Sequence, residues 1–203
     1  MNKLALRNHF KALLNRSDIT DALADTFIDN GTARIQRTLR IPAMEKQASY
    51  SISASTSKIT LPVDLIEILD LYFDNHLLNR LSMREMQDHI KSAQVGSPQH
   101  FARQQGELLL SPVPSSGTVY LNYYASFSEM LADSDESTLA KIAPDLIIYA
   151  ALGYASDYYL DERSQLFEAK FQTFMTEIQE QANDAELNGA IQAIRPTALF
   201  DLE

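Results

Sequence analysis

Residues 50–73 read YSISASTSKITLPVDLIEILDLYF, and this stretch decides the fold. Tyr50, Ile52 and Ala54 alternate with serines, the two-residue period of a strand with one buried face. Lys58-Ile59-Thr60-Leu61-Pro62-Val63-Asp64 then leads into Ile66 to Phe73, where β-favouring residues dominate. Asp74-Asn75-His76 turns the chain toward Leu77-Leu78. Strand character resumes at Gly96-Ser97-Pro98-Gln99-His100-Phe101, from Glu107 to Pro112, and from Thr118 to Ala125. Gly106 sits where a hairpin turn would join a strand ending near Arg103 to one starting at Glu107, and Ser115-Ser116-Gly117 turns the chain into the last strand. About six short strands are expected, enough for a small antiparallel sandwich or curled sheet. Between them Ser82 and Glu85 have capping-box spacing, which predicts a short helix from Met83 to about Lys91.

Helical spacing takes over on both sides of this module. Leu6, Phe10, Leu13 and Leu14 mark an amphipathic helix over 2–15, and Leu23, Phe27, Gly31 and Ile35 a second one ending near Leu39. Thr20 is placed to cap the second helix, with Asp21 in its first turn. Gly31 falls on the apolar face, where close packing against a neighbour is the plain reading. Ile41-Pro42 ends the pattern, and residues 44–47 read as a linker. Residues 128–137 are acidic and loop-like. Pro144 and Asp145 then open a helix that is apolar all round to Tyr159, as buried helices are. Asp161-Glu162 interrupts the chain before a last helix striped by Phe167, Phe171, Phe174 and Ile178. The fold class is therefore α+β, mainly a helical bundle with an inserted small antiparallel β-domain. Its expected parts are the N-terminal helices of the bundle (1–47), the β-rich insert (48–127), the C-terminal helices (128–188) and a tail (189–203).

The 203 residues suffice for one sizeable core, or a helical core with a smaller satellite. The net charge of −10 is uneven: residues 1–49 carry +3, 50–125 carry −2, and 126–203 carry −11. Such an acidic C-terminal part repels a phosphate backbone and argues against a nucleic-acid grip. With no cysteine there is no disulfide framework, thiolate zinc site or cysteine nucleophile. Arg7, Asn8 and His9 break the N-terminal apolar run too early for a signal peptide, and no run reaches the length of a membrane span. A soluble protein is expected.

Catalytic constellations are not apparent. His9, His76, His89 and His100 lack metal-ligand spacing and read as solvated or capping histidines. Asp133, Asp135 and Glu136 resemble part of a calcium loop, but without its turn glycine and terminal glutamate they read as a solvated acidic loop. The adjacent acids Asp161 and Glu162 suit a helix start better than a pair that splits a glycosidic bond. Glycine-rich phosphate loops and G-x-S-x-G elbows are missing. Tyr149, Tyr154, Tyr158 and Tyr159 read as core and interface aromatics rather than a base-stacking platform. The expectation is a protein that is not an enzyme, with no catalytic residues, cofactor or metal.

The order of features resembles the head-to-tail adaptor (connector) proteins of tailed bacteriophages, the ring proteins below the portal. Residues 59–65 (ITLPVDL) resemble that family's Y-x-L-P-x-D-F lead-in, with Ile59 where tyrosine is frequent. Residues 96–101 resemble its G-x-P-x-x-Y step, 107–114 its x-L-x-L-x-P-x-P strand, and 119–124 its L-x-Y-Y strand. The apolar helix, Asp161-Glu162 and the phenylalanine-striped helix follow in the same order, so the likeness covers about residues 5–185. It implies a bundle with an inserted β-domain, assembled as a homo-oligomeric ring of about twelve copies. Such a ring would lie in the virion neck, made in the host cytoplasm and bound to the portal protein and to a tail or nozzle protein. DNA would pass through its channel without specific binding, and no membrane is involved. Other readings are a different neck or tail-completion protein, or a cell-wall glycan hydrolase.

The last segment has its own signature. Helical periodicity stops at Asn188-Gly189, yet Ile191, Ile194, Leu199, Phe200 and Leu202 follow, too few for a core. With Arg195 and Pro196 they form a candidate partner-binding tail, extended around the proline and seated on the portal or an adjacent subunit.

Overall fold

The computed structural model describes residues 1–53, 57–91 and 95–187, which form six α-helices and eight strands. The architecture is mixed, with two sheets whose strands pair mostly antiparallel. The chain divides into a helical unit, Met1–Pro42 with the chain from Met130 onward, and a β-rich unit, Ala43–Glu129.

The helical unit is organised around its most apolar element. α1 (Lys3–Leu14) is capped by Asn2, whose side-chain oxygen accepts the Ala5 N–H at 2.9 Å, and it buries Leu6, Phe10 and Leu14. α2 (Asp21–Thr38) begins at Thr20, whose hydroxyl accepts the Leu23 N–H at 3.2 Å. A short α4 (Thr138–Ile142), not foreseen in the acidic loop, starts where the buried Ser137 hydroxyl accepts the Ala140 N–H. α5 (Pro144–Tyr159) has proline in its first turn and packs against α1, α2, α4 and α6 (Ser164–Leu187). That enclosure explains its all-round apolarity: Leu146, Ile147, Ala150, Ala151 and Leu152 are fully buried. On α6, Phe167 and Phe171 are buried, whereas Phe174 and Ile178 are half-buried. Phe167 and Phe174 both meet Tyr149, with ring centroids 6.3 and 5.4 Å apart.

Charged side chains tie distant segments of this unit together. The guanidinium of Arg7, on α1, donates two bonds to Asp25 of α2 at 2.6 and 2.7 Å and a third to Asp133 at 2.7 Å. These carboxylates raise the Arg7 pKa further, against the opposing effect of burial. The 128–137 loop also receives the backbone N–H groups of Lys3 and Leu4 on the carbonyls of Asp135 and Asp133, so it satisfies orphan donors of α1. At the other end of α1, Arg163 donates to the Leu14 carbonyl at 2.9 Å. Gln179 of α6 accepts the Arg40 N–H and donates to the Arg40 carbonyl, as a neighbouring strand would.

In the β-rich unit two four-stranded sheets share one core. The first has the order β1 (Glu45–Ser53), β8 (Ser116–Ala125), β3 (Leu65–Phe73), β4 (His76–Leu77). The second runs β2 (Lys58–Thr60), β7 (Glu107–Ser111), β6 (His100–Gln104), β5 (Asn79–Arg80). Alternation assigns the faces. Leu71, Phe73, Val119, Leu121 and Tyr123 from one sheet meet Ile59, Phe101, Leu108 and Leu110 from the other. Leu109 and Ala102 point the opposite way, against Met86 of α3 (Met83–Lys91), which covers the outer side of the second sheet. The capping box starting α3 is present: Glu85 accepts the Ser82 N–H at 3.0 Å and donates its own N–H to the Ser82 hydroxyl.

Three details correct the sequence reading. Residues 45–47 are not a linker but the start of β1, because Glu45 pairs with Tyr124 and Gln47 with Asn122. Eight strands replace about six, since pairing with β3 across a tight turn and with β6 some 21 positions away stabilises two-residue segments that local propensity does not mark. The insert is not wholly antiparallel, because β5 runs parallel to β6. The hairpin turn expected at Gly106 is present between β6 and β7, with Gln105 in the left-handed region (φ 52°).

Candidate functional site

The tail residues singled out by sequence, Ile191, Ile194, Arg195, Pro196, Leu199, Phe200 and Leu202, lie outside the described residues. The remaining candidates are all placed. Asp133 takes the Arg7 guanidinium, Asp135 accepts the N–H groups of Leu131 and Ala132, and Glu136 faces Lys141 and the terminal amine at 3.6 and 3.8 Å. The acidic loop is largely exposed, as expected, and in addition braces α1 through Asp133 and Asp135. Among the described residues no three His, Asp or Glu side chains gather as a metal site. His9 and His76 are exposed, while the His89 and His100 rings meet 4.9 Å apart across the α3–β6 contact.

Three other carboxylates lie below the ordinary range because of their partners. Asp161 is pushed down to about 2, chiefly by the Arg163 side chain, and Glu168 is lowered by its bidentate pair with Arg34 at 2.6 and 2.8 Å. Asp64 is lowered first by Lys46 and then by the Tyr123 hydroxyl. A glycosidic acid requires the opposite shift. The hollow beside Arg34, about 400 Å³ and bordered by Tyr154, Asp157, Ser164 and Glu168, is therefore a rim of paired charges. Tyr149 and Tyr158 are spent on aromatic contacts, the latter on Phe27 and Tyr159.

Among the surfaces open to a partner is the first sheet of the β-rich unit. Its outer face is set by register: Gln47, Asn122 and Asp70 form one row across three strands, and Ser49, Tyr120 and Tyr72 the next. Gln47 donates to the Asn122 side chain at 2.9 Å, and a hollow of about 370 Å³ opens beside Glu45, Leu69 and Asp70. β3 carries two bulges here, at Ile66 and Leu69, and the second leaves Leu69 exposed. Next to this face runs β1, bonded to β8 along nine residue pairs and to no strand on its other side among the described residues. Sequence reasoning found the alternation in β1 but missed that it is an edge, because its partner lies some 70 positions downstream. No helix of the described chain is long and apolar enough to cross a membrane.

A family model described as SU10 adaptor protein matches residues 1–195 of the chain. No curated protein matches it.

Proposed function

The chain belongs to the SU10 adaptor protein family, phage structural adaptors that associate with other head or tail proteins as virion components, and on that premise we propose that it is a head-to-tail adaptor. In this reading about twelve copies form a ring between the portal protein and a tail or nozzle protein, around the DNA channel. The helical unit is the bundle of the ring, and the acidic balance of residues 126–203 keeps passing DNA from sticking. The tail residues Ile191, Ile194, Arg195, Pro196, Leu199, Phe200 and Leu202 supply subunit or portal contacts.

The family match along nearly the whole chain carries this reading. The open edge and outer face of the first sheet support it, since an assembling subunit needs surface that its own fold does not consume. The test is to image the purified protein mixed with its portal and, separately, with its tail tube. Rings seated on the portal are expected. Binding to the tail tube alone would replace the reading with that of a tail-completion protein.

A further inference from the structure

The four outer edges of the two sheets are unequal. β4, β2 and β5 are two, three and two residues long, lengths at which an edge is already protected. β1 is nine residues long, and its register with β8 runs without a bulge. The usual guards are missing over most of it. Lys46 is drawn to Asp64 at 2.7 Å, and residues 47–53 contain no charge and no proline. Its core side is lined by Ala48, Tyr50 and Ile52, and its outer side by the small or neutral Gln47, Ser49 and Ser51. A straight, neutral edge of this length is a template for strand addition.

Symmetry restricts what can be added. Two copies pairing β1 with β1 make an isologous contact that stops at a dimer, whereas a ring requires a heterologous one. β4, β2 and β5 are too short to fill β1, and the part of β3 that β4 leaves uncovered, residues 65–70, is broken by two bulges, so the incoming strand is sought outside the two sheets. Residues 197–203 (TALFDLE) carry the matching pattern: Ala198, Phe200 and Leu202 alternate as Ala48, Tyr50 and Ile52 do. Pro196, which lacks an N–H, stands just before them. Residues 188–196 span up to about 30 Å when extended, a reach of about the diameter of a small domain.

We infer that residues 197–203 of one copy add to the free edge of β1 in the neighbouring copy, a partner site that rests on the ring proposed above. The chain contains no cysteine, so single cysteines report the contact cleanly. Running parallel to β1, the segment sets Leu199 beside Ser49 and Asp201 beside Ser51, and neighbouring strands about 4.7–4.9 Å apart lie within the range a disulfide bridges. Copies carrying Ser49→Cys are mixed with tagged copies carrying Leu199→Cys, assembled on portal and oxidised; Ser51→Cys with Asp201→Cys serves if either first variant fails to form rings. Asn75→Cys, in the exposed β3–β4 turn, is the control. The expected result is a disulfide between tagged and untagged chains at least tenfold more abundant than with the control. Rings without that disulfide, or equal yield from the control, overturn the strand seat while leaving the adaptor reading intact. So does a disulfide closing within one chain of the Ser49→Cys/Leu199→Cys double variant. Absence of rings even from the unaltered protein overturns the adaptor reading itself.

Discussion

Gly31 of α2 touches the backbone of Ala151 on α5: a Cβ at Gly31 would lie 2.8 Å from the Ala151 nitrogen and 3.1 Å from the Ala150 Cβ. In an exposed helix, alanine in place of glycine stabilises by roughly 0.5–1 kcal/mol. Here the obstacle is main chain, which cannot rotate aside, so the sign reverses. Gly31→Ala is expected to destabilise by about 1–3 kcal/mol in urea unfolding. A gain in stability would mean that α2 and α5 are not in contact at this point.

Arg7 is enclosed with Asp25 and Asp133, its side chain only 9% exposed. Asp25→Ala leaves a buried guanidinium with one exposed partner, so a loss of about 3 kcal/mol is expected. Arg7→Met combined with Asp25→Leu removes both charges and should cost less than Asp25→Ala alone. Denaturant midpoints of the three proteins decide the order.

Acid sensitivity follows from the lowered carboxylates. In the folded chain Asp161 sits at about 2, below the ordinary carboxylate value near 4 that the unfolded chain restores. Its ion pair with Arg163 therefore contributes stability above about pH 4, and that contribution is lost as pH falls toward 2. Thermal midpoints measured from pH 6 to 2 should fall less steeply in Asp161→Asn than in the parent, from a lower starting value.

Tyr123 responds at the opposite end of the scale. Burial, then its hydrogen bond to Asp64 at 3.1 Å, pushes its hydroxyl up to about 12. Burial raises Tyr50 and Tyr159 as well, so phenolate absorbance should show a group of late-ionising tyrosines, and Tyr123→Phe should remove the step near pH 12. The variant should lose about 1 kcal/mol, because Asp64 keeps Lys46.

The phenylalanine stripe of α6 is graded rather than uniform. Phe171 is 2% exposed and also lies under the Arg34 guanidinium at 4.2 Å. Phe171→Ala should cost about 3–5 kcal/mol, and Phe174→Ala, at a half-buried position, less than half as much. Equal costs in parallel unfolding curves would contradict the gradation.

Local chemistry made the helices legible. Thr20, the Ser82–Glu85 box and Pro144 mark starts that the structure reproduces within a residue or so, and Gly31 was readable as a contact point. What escaped depends on residues far apart in sequence. Nothing near Asp133 announces that Arg7, 126 positions earlier, will hold it. The two bulges in β3 arise from matching nine residues to the opposing run of β8. The exposed edge of β1 belongs to the same class, since being an edge is a property of the sheet and not of the strand.

The pairing of Glu45 with Tyr124 has a consequence for how the molecule folds. It places the incoming and outgoing ends of the β-rich unit side by side, so a folded insert presents the helical unit with two chain ends already neighbouring. Left unstructured, the same insert would be a long loop to close before α2 could meet α5. Shortening it to a few residues is about four halvings, which removes roughly 2 kcal/mol of closure entropy. A contiguous β-rich unit that folds first would therefore lower the closure cost of the helical core.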